Sequence, residues 1–92
     1  MTPGRIDRWR VELSSGAARD LRRLPADERA RILQAVDKLA DGPYQKDSSK
    51  LAGRPEWRFR IGARRVLFLV DFQRHSITVV GIGSRGDVYK HD

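Results

Sequence analysis

The sequence predicts an α+β fold of order β-α-α-β-β-β, in which a helical hairpin packs on one face of a small, mostly antiparallel sheet. Three observations carry this. Two neighbouring stretches, 16–24 and 26–41, repeat apolar residues every three or four positions, the period of a helix buried on one side. Four other stretches, 9–13, 56–61, 65–72 and 76–82, read as strands bounded by turn residues. The chain has 92 residues and no cysteine. It is therefore one domain, 1–92, with a thin core and no disulfide to reinforce it.

Each element has its own warrant. Trp9, Val11 and Leu13 alternate with Arg10 and Glu12, the pattern of a half-buried strand. Ser14 and Ser15 follow, and either hydroxyl can cap a helix by accepting from an orphan backbone N–H. Ala17, Ala18, Leu21 and Leu24 form the stripe of a first helix that ends at Pro25. Pro25 can also open the second helix, where Asp27 and Glu28 suit the positive end of the dipole. Ile32, Leu33, Val36, Leu39 and Ala40 supply its stripe, and Gly42–Pro43 stops it. Residues 44–55 are polar and read as a loop. The tight connections 62–64 and 73–75 join the remaining strands as hairpins. Gly81, Gly83 and Gly86 bracket a turn before the tail. The expected core is Trp9, Val11, Leu21, Leu24, Ile32, Leu33, Val36, Leu39, Trp57, Phe59, Ile61 and Phe68.

Composition narrows the function classes. Nineteen basic residues stand against twelve acidic ones, a net charge of +7. That excess points to a polyanion or an acidic protein partner. The surplus is uneven: residues 25–50 are balanced, whereas 51–92 hold eight basic and four acidic residues. The C-terminal strands, rather than the second helix, are thus the expected polyanion surface. No apolar run reaches the length of a membrane span. No apolar leader opens the chain, so a cytosolic protein is expected. His75 and His91 lack neighbours at metal-ligand spacing, and the glycines near 83 do not follow a strand and open a helix as a dinucleotide loop would.

The sharpest feature is Trp57–Arg58–Phe59–Arg60–Ile61. Strand alternation puts Trp57, Phe59 and Ile61 on one face and Arg58 and Arg60 on the other, roughly 7 Å apart. Arg65 opens the next strand and can join them, and Arg85 arrives from the last strand's end. Guanidinium groups gathered on one face repel one another, a cost more easily borne where an anion binds. The plainer alternative is a set of solvated arginines whose stems cover apolar neighbours. The same counting puts Leu67, Leu69, Val80 and Ile82 on the side of Arg65.

Four runs together carry a family resemblance: Lys50–Leu51–Ala52–Gly53, Trp57 through Gly62, Arg65 through Phe68, and Val80 through Tyr89. In this order and at this length the chain resembles the RelE/ParE superfamily of bacterial toxin–antitoxin toxins, over nearly its whole length. The resemblance implies a type II toxin that acts as a metal-free, ribosome-dependent mRNA endoribonuclease. It implies catalytic roles for Arg58, Arg60, Arg65, Arg85 and Tyr89, and RNA contacts from Lys50, Arg54, Arg64 and Lys90. It implies no cofactor, a cognate antitoxin bound in a hetero-oligomer, and the ribosome and mRNA as further partners. A ParE-like inhibitor of DNA gyrase with no nuclease site is the alternative. Two positions depart from the pattern: Ala52 stands where relatives carry a basic residue, and Ser84 where many carry histidine.

Overall fold

The structure, a computed structural model, describes residues 8–84. Its elements run β1 (Arg10–Leu13), α1 (Ser15–Arg22), α2 (Ala26–Lys38), a 3-10 turn (Leu39–Asp41), β2 (Ser48–Lys50), β3 (Trp57–Ile61), β4 (Arg64–Asp71) and β5 (Ser76–Ser84). The strands form one five-stranded sheet of order β1-β5-β4-β3-β2. The β2–β3, β3–β4 and β4–β5 pairs are antiparallel, whereas β1 lies parallel to β5. Both helices pack on one face of this sheet. Among the described residues, no helix is long and apolar enough to cross a membrane.

The start of the fold follows its sequence signals. Ser14 Oγ accepts from Ala17 N at 3.0 Å and caps α1. Ala17, Leu21 and Leu24 bury the α1 stripe. Pro25 caps α2 by position, and its carbonyl accepts the first helical bond from Arg29 N at 2.8 Å. Arg29 Nη1 donates to the Leu24 carbonyl at 2.9 Å, which satisfies a group that the end of α1 would leave unpaired. Gly42 (φ 122°) takes a backbone conformation that disfavours side chains and stops the helical path.

The structure corrects three expectations. First, Leu33 is 45% exposed, not core. α2 meets the sheet through Ile32, Ala35 and Val36, and the 3-10 turn adds Leu39. Leu33 lies about 100° round the helix from Ile32 and points past that narrow stripe. Second, the loop 44–55 contains β2. Ser48, Ser49 and Lys50 pair with Phe59, Arg58 and Trp57. Three polar residues have no periodicity to reveal them, and β3 supplies their partner groups. Third, β5 continues past its expected end at Ile82 to Ser84, so Gly83 lies in a strand and not in a turn.

A β-bulge explains a further difference. Leu67 pairs with Gly81 and Phe68 with Val79, which leaves Val80 as an extra residue on β5. The bulge resets the alternation, so Ile77, Val79 and Ile82 all join the core. Ile82 therefore does not share the side of Arg65. Leu67 and Leu69 do, as expected. The core is filled by Phe68, Val66, Ile77 and Val79 of the central strands against Ile32 and Leu39 of the helical layer. Trp9, Val11 and Ile61 pack against it while partly exposed.

β1 ends at Leu13, so β5 loses that partner beyond Val79. There α1 takes over the edge: Asp20 Oδ2 accepts from Ile82 N at 3.1 Å. This contact joins residues 62 positions apart and spares a backbone donor from being left unpaired.

Candidate functional site

The helix-free face of the sheet gathers Arg58, Arg60 and Arg65. Phe59 pairs with Val66 and Trp57 with Phe68, so these four turn toward the helices. Their strand neighbours must turn the other way. Arg60 pairs directly with Arg65, and Arg58 pairs with Leu67. Directly opposed residues hold their Cβ atoms about 5 Å apart, and like charges so placed are destabilising. On β5 the partners of Arg65 and Leu67 are Gly83 and Gly81. A glycine within a strand leaves room for another molecule to approach the backbone. The sequence signal for this was present as Gly81–Ile82–Gly83, an alternation with the period of a strand.

Among the described residues, no acid neutralises the arginines. Among the described residues, ion pairs form at Arg8, Arg10, Arg54, Arg64 and Arg74, and none at Arg58, Arg60 or Arg65. The Nε atoms of Arg58 and Arg65 are buried and have no hydrogen-bond partner among the described residues. Buried donors are nearly always satisfied, and guanidinium N–H groups favour anionic oxygens. Two such orphans on one face are an unfilled demand for an acceptor.

The other expected site residues divide. Arg64 lies on the helix side, where Nε donates to Glu28 Oε1 at 2.7 Å; it does not join the three. Arg54 Nε donates to Glu56 Oε1 at 3.2 Å, and Lys50 Nζ to the Arg54 carbonyl at 2.9 Å. These form a separate cluster at the β2 edge. The bond from Arg54 holds the Glu56 carboxyl below its ordinary pKa. Arg85, Tyr89, Lys90 and His91 lie outside the described residues. His75 sits in the β4–β5 turn, as expected, with its ring stacked on Trp9 at a centroid distance of 4.0 Å. The same sheet face also carries a shallow groove of about 690 Å³ beside β1, lined by Arg10, Glu12, Asp71 and Arg74 among others. Its mixed charges distinguish it from the purely basic end.

The fold matches solved toxin–antitoxin structures. A chain of the RelBE complex from Mycobacterium tuberculosis aligns with a TM-score of 0.77 and 21% identity, covering 85% of this chain and 99% of that one. A chain of the archaeal RelE–RelB complex from Pyrococcus horikoshii aligns with a TM-score of 0.75 and 27% identity, covering 85% and 96%. The YoeB/ParE toxin from Agrobacterium tumefaciens aligns with a TM-score of 0.70 and 14% identity, covering 83% and 98%. No curated protein sequence matches the chain. Fold and sequence together define a toxin of the type II toxin–antitoxin class, within the RelE/ParE superfamily. More closely, the chain belongs to the ParE toxin family: the family profile, described as the ParE toxin of type II toxin–antitoxin system, parDE, matches residues 11–89.

Proposed function

We propose that this toxin is a ribosome-dependent mRNA endoribonuclease that works without a metal. The observation that carries the reading is the convergence of Arg58, Arg60 and Arg65 on one face, with two buried Nε donors unpartnered. In such cleavage the RNA's own 2′-oxygen attacks the adjacent phosphorus. The O2′–P bond forms, the P–O5′ bond breaks, and a cyclic phosphate and a 5′-hydroxyl result. The transition state gains negative charge on its non-bridging oxygens, where planar guanidinium groups can each donate two hydrogen bonds. An arginine stays protonated and cannot remove the 2′-proton. The reading assigns the transfer of that proton from O2′ to the leaving O5′ to the tail, where the Tyr89 hydroxyl is expected to accept one proton while donating its own, with Arg85 a further charge partner. Mapping the 3′ ends of transcripts in cells expressing the chain tests this. Cuts within translated regions that vanish in Arg65→Ala support it, and intact transcripts during growth arrest refute it.

A second reading has its own support, because the matching family profile is that of the parDE toxin. A gyrase poison would arrest growth with gyrase-dependent DNA breaks and leave transcripts whole. Under either reading the partner is a cognate antitoxin in the cytoplasm, for which the solved RelBE and RelE–RelB complexes provide the analogy. Net charge and the exposed Leu69 beside the arginines suit an acidic, amphipathic antitoxin segment that folds as it binds.

A further inference from the structure

A second concentration of positive charge lies round the β2 edge from the arginine face. α2, residues 45–47 and the end of β3 enclose a cleft of about 290 Å³. Arg31, Lys38, Lys46 and Arg60 line it, with Asp47 as the only acid among the described residues. None of the four cations makes an ion pair among the described residues. Arg31 and Lys38 are seven positions apart on α2, so they stand two turns apart on one helix stripe.

The wall facing α2 is fixed before any ligand arrives. Gln45 Nε2 donates to the carbonyls of Lys38 and Gly42, each at 3.0 Å, and ties the loop to the end of the helical segment. Gln45 N donates to Ser48 Oγ at 2.9 Å. Asp47 holds a left-handed backbone (φ 70°), which non-glycine residues adopt uncommonly. Its carbonyl accepts from Arg60 N at 3.1 Å and locks the loop to β3. Phe59 is buried beneath the cleft, so the lining offers charge rather than a ring on which a base could stack. Arg60 belongs both to the sheet-face group and to this cleft, which makes one basic path round the edge of the sheet.

We propose that this cleft is a second binding site for a polynucleotide backbone, gripping phosphodiester groups of an RNA strand that leaves the arginine face across the β2 edge. The inference rests on the reading of the chain as an RNA-acting toxin, but it does not require cleavage. Exposed cations with no ion-pair partner among the described residues fit a ligand that brings regularly spaced negative charge, and each phosphate they neutralise releases counterions.

The test is the salt dependence of binding by the full chain. The probe is a fluorescein-labelled uridine oligomer of about a dozen nucleotides, followed by anisotropy. The variant combines Arg31→Ala, Lys38→Ala and Lys46→Ala and keeps Arg60. All three lie at the surface, and a thermal melt checks that the variant folds. Three lost contacts should flatten the slope of log affinity against log salt by about 2, at about 0.7 per single-stranded phosphate. Arg65→Met should flatten it by only about 0.7. A folded triple variant with unchanged slope and affinity overturns the proposal. So does a polyglutamate of matching length that binds the wild type as tightly as the RNA and loses as much affinity in the triple variant, which would assign the cleft to an acidic protein. Wild-type protein that leaves ribosome-bound mRNA uncut, while the triple variant still flattens the slope, refutes the nuclease reading and upholds the cleft. Cleavage with no change of slope does the reverse.

Discussion

Arg65→Met separates the cost of the arginine face from its use. Methionine keeps an apolar stem beside Leu67 and removes the charge that opposes Arg60 across the β3–β4 pair. Two unit charges about 6 Å apart repel by roughly 0.7 kcal/mol in water and about 3 kcal/mol at an effective dielectric near 20. Both side chains reach solvent at their tips, and physiological salt screens beyond about 8 Å. A relief of about 0.5–1 kcal/mol is therefore expected. It is helped by removal of the Arg65 Nε donor, which is buried without a partner. For a domain of this size that raises Tm by roughly 2–8 °C. The assay is thermal unfolding of both proteins at low salt and near 1 M NaCl. There the Debye length falls to about 3 Å and the advantage of the variant should shrink. Growth arrest on induction should disappear in the same variant. A variant that is less stable than wild type at low salt, or whose difference ignores salt, refutes the claim that this face carries uncompensated repulsion.

The remaining predictions are direct. Ile32→Ala should destabilise by about 2–5 kcal/mol in denaturant unfolding, whereas Leu33→Ala should cost under about 0.5 kcal/mol, because only Ile32 faces the sheet. Glu56→Gln should be less stable than wild type at neutral pH by a few tenths to about 1 kcal/mol, since its partner Arg54 is only partly exposed. The folded Glu56 pKa is lowered by the Arg54 bond, so this stability is present above the ordinary carboxylate range. It is lost as pH falls through the lower folded value, and equal stabilities of the two proteins at neutral pH would exclude the contribution. Arg85→Ala, like Arg65→Ala, should cost about 10²–10³ in cleavage rate, and cleavage of ribosome-bound mRNA measures it.

Much of this was legible in the sequence because one face of each strong element is apolar. The alternation in 57–61 fixed which side Arg58 and Arg60 would take, and the stripe through Ile32, Val36 and Leu39 fixed how α2 would dock. The failures have physical causes. Leu33 is adjacent to the stripe in sequence but about a quarter-turn off it in space. β2 is three polar residues that form a strand only because β3 offers them hydrogen-bond partners. The bulge at Val80 could not be counted, because one unpaired residue inverts every assignment beyond it. Arg64 and Arg65 look alike in sequence, yet alternation sends one to Glu28 on the helix side and the other to the open face. Neither the Asp20–Ile82 contact nor the cleft beside Lys46 has any local signature, since each joins segments that only the folded chain brings together.

The placement of the arginines also explains how a 92-residue domain tolerates them. Arg58, Arg60 and Arg65 stand on β3 and β4, and the reverse faces of those strands carry Trp57, Phe59, Val66 and Phe68 into the core. Burial of each such side chain contributes about 1.5–3 kcal/mol, whereas the opposed Arg60–Arg65 pair costs about 1 kcal/mol or less. The backbone positions of the two arginines cannot separate without opening the strands that hold the core, so only side-chain rotation can ease the repulsion. An anion that enters this face meets donors gathered on adjacent strands and removes the repulsion on arrival. Its binding therefore stabilises the fold as well as the complex. Melting the wild type with a uridine oligomer should show this directly. A rise in Tm that Arg65→Met reduces is expected, and an equal rise in both proteins would place the anion elsewhere.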